Sequence, residues 1–397
     1  VIAPEAALAR ILALADPLPS ETIPLRAASG RYLTQTVSAL RDQPPFDASQ
    51  MDGYALADDQ LAAGQSFSVV AEVAAGHRWE GILQTGQAVR IFTGAPVPAG
   101  AKRVVIQEDV IRDGATITLK DGMDTELYIR RQGSDFAVGH QVAPKRLRPY
   151  DLALLAAMNC AQLAVARRPV VALLSTGDEL VWPGQKPSPD QIIASSAYAL
   201  AALCEAEGAE VRILPLAADR FEALEACLRL AQGADLVLTT GGASVGAHDM
   251  VADVATHLGM ELDFWKIAMR PGKPVIAGRL QGAVFLGLPG NPVASMVCGD
   301  LFIRPLLRRL QGLAASACVQ VPLVGRLNAA LPKNGPRAHY HRATLSYDKD
   351  GAALLTPFAQ QDSAHLRILS LSNALVIQPA HDDAKAAGDP VGYLPLP

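Results

Sequence analysis

From Pro169 onward the chain alternates continuous apolar runs with amphipathic stretches, and this rhythm constrains the fold more than any other feature. VVALLS (170–175), EVRILPL (210–216), DLVLTT (235–240) and AVFLGLPG (283–290) have no polar face. Between them SSAYALAALCEAEG and DRFEALEACLRLAQG have helical spacing and end on Gly208 and Gly233, and NPVASMVCGDLFIRPLLRRL (291–310) forms a longer helix. A strand with no polar face must be covered on both sides, and helical crossovers between parallel strands do that. The pattern predicts a three-layer α/β domain with a parallel-rich sheet over 169–316.

The rest of the chain has other periods, so the fold class is α/β multidomain. Residues 41–140 hold short β-like runs (FSVVAEV, QAVRIFTG, RVVIQEDVI, TITLK) between Gly, Pro and Asp turns, as in a β-rich inserted domain. Residues 1–40, with one amphipathic helix, and 141–168, with the helical PYDLALLAAMNC, are expected to share a helical and linker domain. In 320–397 β character returns with no helix of any length, which predicts a small C-terminal β-barrel.

Composition excludes several classes. A net charge of −4 and 5% aromatics offer neither a phosphate-holding field nor base-stacking platforms, so nucleic acid is not an expected partner. The five cysteines are scattered, with no Cys-x-x-Cys, and are expected to be reduced. His339 and His341 alternate as on a strand and, with no third ligand nearby, are expected at the surface. No apolar run is long enough to span a bilayer, and the first residues lack a cationic leader, so the expectation is a cytoplasmic protein without a membrane partner.

Open parallel sheets bind ligands beyond the carboxyl ends of their strands, and three loops there are unusual. STGDEL places Asp178 and Glu179 directly after a strand; this is either a turn with a solvated acid pair or a site for Mg²⁺ or ribose hydroxyls. TTGGASVGAHD (239–249) spends three glycines at once, more than a turn needs. Its backbone N–H groups and the hydroxyls of Thr239, Thr240 and Ser244 suit an anion, although it matches neither common nucleotide-loop pattern. GLPGNPVASM puts Asn291 at an N-cap and Pro292 at the first helical position, with Ser295 in the first turn. Upstream, WKIAMRPGKPV gathers Lys266, Arg270 and Lys273 around a Pro-Gly turn. In the β-rich zone FDASQMDGYA sets Asp47, Ser49 and Asp52 among the apolar Phe46, Met51 and Tyr54, while IFTGAP and RRQGSD offer Thr93 and Asp135.

FDASQMDGYA, IFTGAPVPAGAKRVVIQED, RRQGSD, STGDEL, TTGGASVGAHD, WKIAMRPGKPV and GLPGNPVASM, in this order and spacing, resemble the molybdenum insertases, the molybdopterin molybdenumtransferases of molybdenum cofactor synthesis. The likeness covers almost the whole chain and is thinnest at both ends. It implies an elongated homodimer of four domains, with an active cleft between the α/β domain of one subunit and the β-rich domain of the other. The implied reaction inserts molybdate into adenylylated molybdopterin and releases AMP with Mg²⁺ as cofactor, downstream of a molybdopterin adenylyltransferase. Carried onto matching positions, the catalytic residues would be Asp52, Thr93, Asp135, Glu179 and Asp249. Substrate would meet Asp219, Thr240, Gly241, Gly242, Ser244, Gly246, Lys266, Pro289, Asn291 and Pro292. Molybdate would meet Arg270, Lys273, Ser295, Arg342 and Ser363, and Mg²⁺ would meet Asp52, Asp178, Glu179 and Asp249. This chain departs from the family in two places: its turn is Arg-Pro-Gly-Lys where Lys-Pro-Gly-Lys is frequent, and His365 stands where a more basic residue is expected. Two other readings compete. Adenylylation of molybdopterin would need only the α/β domain and leaves the other domains unexplained. A scaffold role has no linker or extra domain behind it.

Overall fold

The strands Glu210–Ile213, Val170–Ser175, Leu236–Thr240, Ala283–Leu288, Ile276–Leu280 and Glu261–Trp265 lie side by side in that order, in a computed structural model that describes residues 1–242 and 250–396. The first four are parallel, Ile276–Leu280 runs against them, and Glu261–Trp265 pairs antiparallel with it, so the sheet is mixed and rich in parallel pairs. Successive side chains point to opposite faces of a strand, and the apolar runs use both. Val171 and Leu173 join one core with Leu200, Leu203, Val297 and Leu306, while Ala172 and Leu174 join another with Leu224, Leu228 and Val254. The helices Ser196–Ala206 and Pro292–Cys298 therefore cover one face, and Phe221–Arg229 and Met250–His257 the other. Each fully buried Leu or Val adds about 1.5–3 kcal/mol of favourable transfer energy.

The chain divides into two compact units. One comprises Val1–Glu21 with Ala166–Pro397 and the other Thr22–Val165. In the first, helix Pro4–Ala13 places Ala7 and Ile11 in the core of the α/β sheet, and Ile2 forms a parallel bridge with Ile267. The long helix expected over 291–310 is helical throughout, but Gly299–Ile303 is a single π turn between Pro292–Cys298 and Arg304–Leu310. Among the described residues no helix is long and apolar enough to cross a membrane.

Within the same unit, Leu323–Leu327, Ala338–Tyr347, Ala353–Pro357, Ala374–Gln378 and Pro390–Pro395 close into a five-stranded barrel. The tail also holds one short helix, Leu366–Leu371, where none was expected. Met269–Arg270 pairs alongside Ala338–Tyr347 and ties the barrel to the α/β domain.

His339 and His341 are buried rather than at the surface, with ring centroids 3.6 Å apart. Their strand bonds to Met269–Arg270, Ala353–Pro357 and Ala374–Gln378, so an alternating pattern on it does not mark a solvated face. Gln378 Nε2 donates to the Pro332 carbonyl, which leaves Gln378 Oε1 to accept from His341 Nε2 at 3.0 Å. Burial and the neighbouring cations keep both rings neutral, with His339 pushed down to about 3 and His341 to about 4.

The second unit is built on a six-stranded mixed sheet in the order Arg103–Ile106, Gly53–Leu56, Gln87–Ile91, Ser66–Val73, Thr116–Leu119, Val110–Asp113. Ala55, Val89, Ile91 and Val104 pack on one face, and Tyr54, Leu56, Ala88 and Val105 on the other. A further core in this unit gathers Leu33, Leu147, Leu155, Met158 and Val165 around helix Pro149–Ala157.

Candidate functional site

Three parallel strands of the first unit deliver their carboxyl-terminal loops into one cavity of about 810 Å³. Val170–Ser175 leads to Thr176 and Glu179, Leu236–Thr240 to Gly241 and Gly242, and Ala283–Leu288 to Pro289, Asn291 and Pro292. A further wall comes from Arg270–Pro274 and from the barrel residues Arg337, Gln361, Asp362 and Ser363; Ile192 and Ile193 also line the cavity.

Backbone approach explains the glycines. Gly241 has φ +92°, and a Cβ there would lie 2.4 Å from the Thr176 carbonyl oxygen; at Gly242, with φ +65°, it would lie 2.3 Å from a methyl of Val251. No other residue fits either position without displacing its neighbours. Thr240 Oγ1 and Ser175 Oγ share a hydrogen bond of 2.8 Å at the cavity wall. Thr239 is turned into the sheet, fully buried, and its hydroxyl has no partner among the described residues, so it offers nothing to a ligand. Ser244, Gly246 and Asp249 lie outside the described residues.

The cavity is electrostatically asymmetric. Arg270, Lys273 and Arg337 all line it, and among the described residues none is within ion-pair distance of a carboxylate. Behind the wall, Arg342 is 1% exposed; its Nη1 donates to the Tyr340 carbonyl and its backbone N–H to Gln361 Oε1. Burial and the charge of Arg270 push its guanidinium down to about 10. Three acidic residues share the cavity, Glu179 and Asp219 from the α/β loops and Asp362 from the tail. Asp219 accepts from Thr176 Oγ1, and its amide donates to Asp178 Oδ1 at 3.2 Å, so Asp178 braces the turn and does not line the cavity; Glu179 does.

Other expected residues take different places. Lys266 has φ +77° and its Nζ sits 4.0 Å from the centroid of the Trp265 ring, away from the cavity lining. Ser295 is fully buried and donates to the Pro292 carbonyl at 3.0 Å, so its hydroxyl serves its own helix. Asn291 makes no side-chain cap; its Nδ2 donates to Ser363 Oγ at 2.9 Å and joins the α/β loop to the tail. Asp52, Thr93 and Asp135 belong to the second unit. Asp52 Oδ1 accepts from the Thr93 amide at 2.8 Å and from Thr93 Oγ1 at 2.9 Å, and these two bonds hold the carboxyl below the usual carboxylate range. Asp47, by contrast, is committed to Arg131 at 2.6 Å and to the Gln132 amide, and Ser49 to the Met51 carbonyl. Asp135 is exposed, on a loop held by its amide bond to the Gln43 carbonyl.

Sequence reasoning missed Arg337, Thr176 and Gln361. Nothing local separates Arg337 from the other 34 of the chain's 35 lysines and arginines. Only the pairing of Met269–Arg270 with Ala338–Tyr347 brings it to this wall.

A divalent cation of the Mg²⁺ type keeps several waters and takes one or two carboxylates together with substrate phosphates. Glu179 and Asp219 fit that donor set. Among the described residues no group of three or more metal-ligating side chains could form a complete protein cage.

Three family models match the chain in sequence. The MoeA N-terminal region (domain I and II) matches residues 2–159, a probable molybdopterin binding domain residues 172–309, and the MoeA C-terminal region (domain IV) residues 324–396. A molybdopterin molybdenumtransferase of Nostoc sp. is 35% identical, with 95% of this chain and 89% of that protein covered. Molybdopterin molybdenumtransferase 2 of Mycobacterium tuberculosis is 36% identical, with 92% and 93% covered. The crystal structure of a molybdopterin biosynthesis MoeA protein from Pyrococcus horikosii superposes with a TM-score of 0.83 at 29% identity, over 100% of this chain and 99% of that one. With its three regions matched in order and relatives alike over nearly their whole length, the chain belongs to the MoeA family of molybdopterin molybdenumtransferases.

Proposed function

We propose that this protein inserts molybdate into adenylylated molybdopterin with Mg²⁺-dependent release of AMP. The observation that carries the reading is the cavity where Arg270, Lys273 and Arg337, free of carboxylate partners among the described residues, meet the Gly241–Gly242 backbone. Molybdate is a dianion, and the substrate carries a phosphate and a phosphoanhydride. Two like unit charges 4 Å apart repel by about 4 kcal/mol near a protein surface. Cations that do not first have to leave a carboxylate can offset that repulsion.

In this reading Lys273 and Arg270 hold the oxyanion, with Arg342 adding positive potential from behind the wall. Thr240, Gly241 and Gly242 hold the phosphates. Glu179 and Asp219 would hold Mg²⁺, which when bound supplies charge neutralisation at the phosphoanhydride. Asp52, its geometry fixed by Thr93, would position the water or metal that takes part in anhydride cleavage, and the homodimer implied by the resemblance would provide it from a second copy. Asp52→Ala tests the assignment. The variant is expected to bind adenylylated molybdopterin with unchanged affinity and to release AMP at least a hundredfold more slowly. Wild-type AMP release would remove Asp52 from the reaction, and ATP-dependent adenylylation of molybdopterin by this chain would replace the proposal.

A further inference from the structure

In the second unit the ladder between Gly53–Leu56 and Gln87–Ile91 ends at the pair Gly53 and Ile91. Asp52, Phe92 and Thr93 lie just past that end: the Phe92 amide still donates to the Val73 carbonyl at 3.2 Å, but the two strands no longer pair with each other. Arg90 reaches across this gap. Its Nη1 donates to the Gly53 carbonyl at 3.3 Å and its Nη2 to Gln107 Oε1 at 2.6 Å. The guanidinium also lies over two rings, Tyr54 at 5.0 Å and Phe92 at 4.8 Å. Gln107 returns to the same place, because its amide donates to the Asp52 carbonyl at 3.0 Å.

The arrangement is selective. Gly53 adjoins Asp52 and Phe92 adjoins Thr93, so one side chain holds the neighbour of each member of the Asp52–Thr93 pair. Among the described residues no carboxylate forms an ion pair with Arg90, so the charge is not spent on a salt bridge. Both Thr93 bonds fall on Asp52 Oδ1, and no described donor reaches Oδ2, which stays available. A planar fork can bridge two acceptors while stacking between rings; a lysine ammonium cannot.

We propose that Arg90 is a positioning residue that locks Asp52 against Thr93 and keeps Asp52 Oδ2 presented for the reaction. The proposal rests on the role given to Asp52 above. The test uses full-length Arg90→Lys, Arg90→Met, Asp52→Ala and the Arg90→Met/Asp52→Ala double variant. AMP release is measured at steady state, and the Thr93 amide resonance is followed by NMR without ligand. Both Arg90 variants are expected to lose about tenfold in kcat with KM within about twofold, and to shift the Thr93 amide resonance. The double variant is expected to be no slower than Asp52→Ala alone, because residues acting through one another are not additive. A multiplicative loss in the double variant, a lysine that fully restores kcat, or an unmoved Thr93 amide would each overturn the proposal. If Arg90→Met does not fold, Arg90→Lys carries both readouts. Wild-type AMP release by Asp52→Ala would instead refute the role of Asp52, while the Thr93 resonance would still decide whether Arg90 positions it.

Discussion

The cavity of the first unit and the Asp52 cluster of the second treat charge in opposite ways. Around the cavity, Arg270, Lys273 and Arg337 share a wall with Glu179 and Asp219, yet among the described residues no ion pair joins them. In the second unit the charges near the cluster are committed: Asp47 to Arg131, and Arg90 to a carbonyl, an amide and two rings. Cations that are exposed and unpaired can meet an anionic ligand without first leaving a carboxylate, whereas committed charge fixes geometry. The contrast separates binding from positioning better than a count of acids and bases.

The largest expected effect on activity breaks the cavity side. Lys273→Ala should lower kcat/KM by about 10²–10³, because it removes a cation aimed at developing negative charge; a loss under fivefold would return Lys273 to solvent. A second measurement asks whether the two sides cooperate across copies. Asp52→Ala and Lys273→Ala subunits, each nearly inactive, should on random re-association recover about a quarter of wild-type activity, since half the dimers then carry one intact site. No recovery would place both residues in one subunit's site or deny the dimer. A backbone comparison follows. Gly241→Ala should cost about 3 kcal/mol in chemical denaturation, from its clash with the Thr176 carbonyl and its positive φ. Gly64→Ala in the second unit, with φ +78° but nothing within 4 Å, should cost about 1 kcal/mol. Equal losses would mean that the close approach at Gly241 carries no weight.

Charge excluded from the barrel makes stability depend on pH. In the unfolded chain His339 and His341 take protons near pH 6.5, but in the fold they resist to about 3 and 4. The unfolded state therefore binds more protons between these values. The stability is fully present above pH 6.5 and is lost as pH falls toward 4, by about 5 kcal/mol at pH 4.5, since each of the two rings is then about two pH units below its unfolded value at about 1.4 kcal/mol per unit. Denaturation curves of a His339→Phe/His341→Leu variant should be flatter over that window. The same slope in the variant would assign the acid sensitivity to other groups.

Much of the architecture was legible because it depends on local pattern. VVALLS and DLVLTT lack a polar face and could only be central strands, and the Gly-Gly pair after Thr240 announced a close backbone approach. What was not legible depends on partners distant in sequence or on rotamers. Arg337 reaches the cavity through a strand pairing with residues 269–270, more than sixty positions away. Asn291 fits the sequence pattern of an N-cap but turns its amide to Ser363, seventy-two residues on. Ser295 had the right position for a ligand donor, but its hydroxyl bonds back to its own helix. Lys266 clusters with the other cations in sequence and leaves them in space for an indole ring.

Gly272, at the tip of the Arg270–Lys273 turn, rests on Cys298: a Cβ there would lie 2.7 Å from the thiol sulfur. Cys298 is fully buried, and burial pushes its thiol up to about 12, so at neutral pH almost no thiolate is present to react. The cationic turn thus sits on a built-in stopwatch. With Cys160 and Cys227 replaced by serine, alkylation followed at Cys298 itself is expected to wait for the turn to lift, and its rate to report the openings. An oxyanion that clamps Arg270 and Lys273 would slow that clock at concentrations that report its own occupancy, with no turnover required.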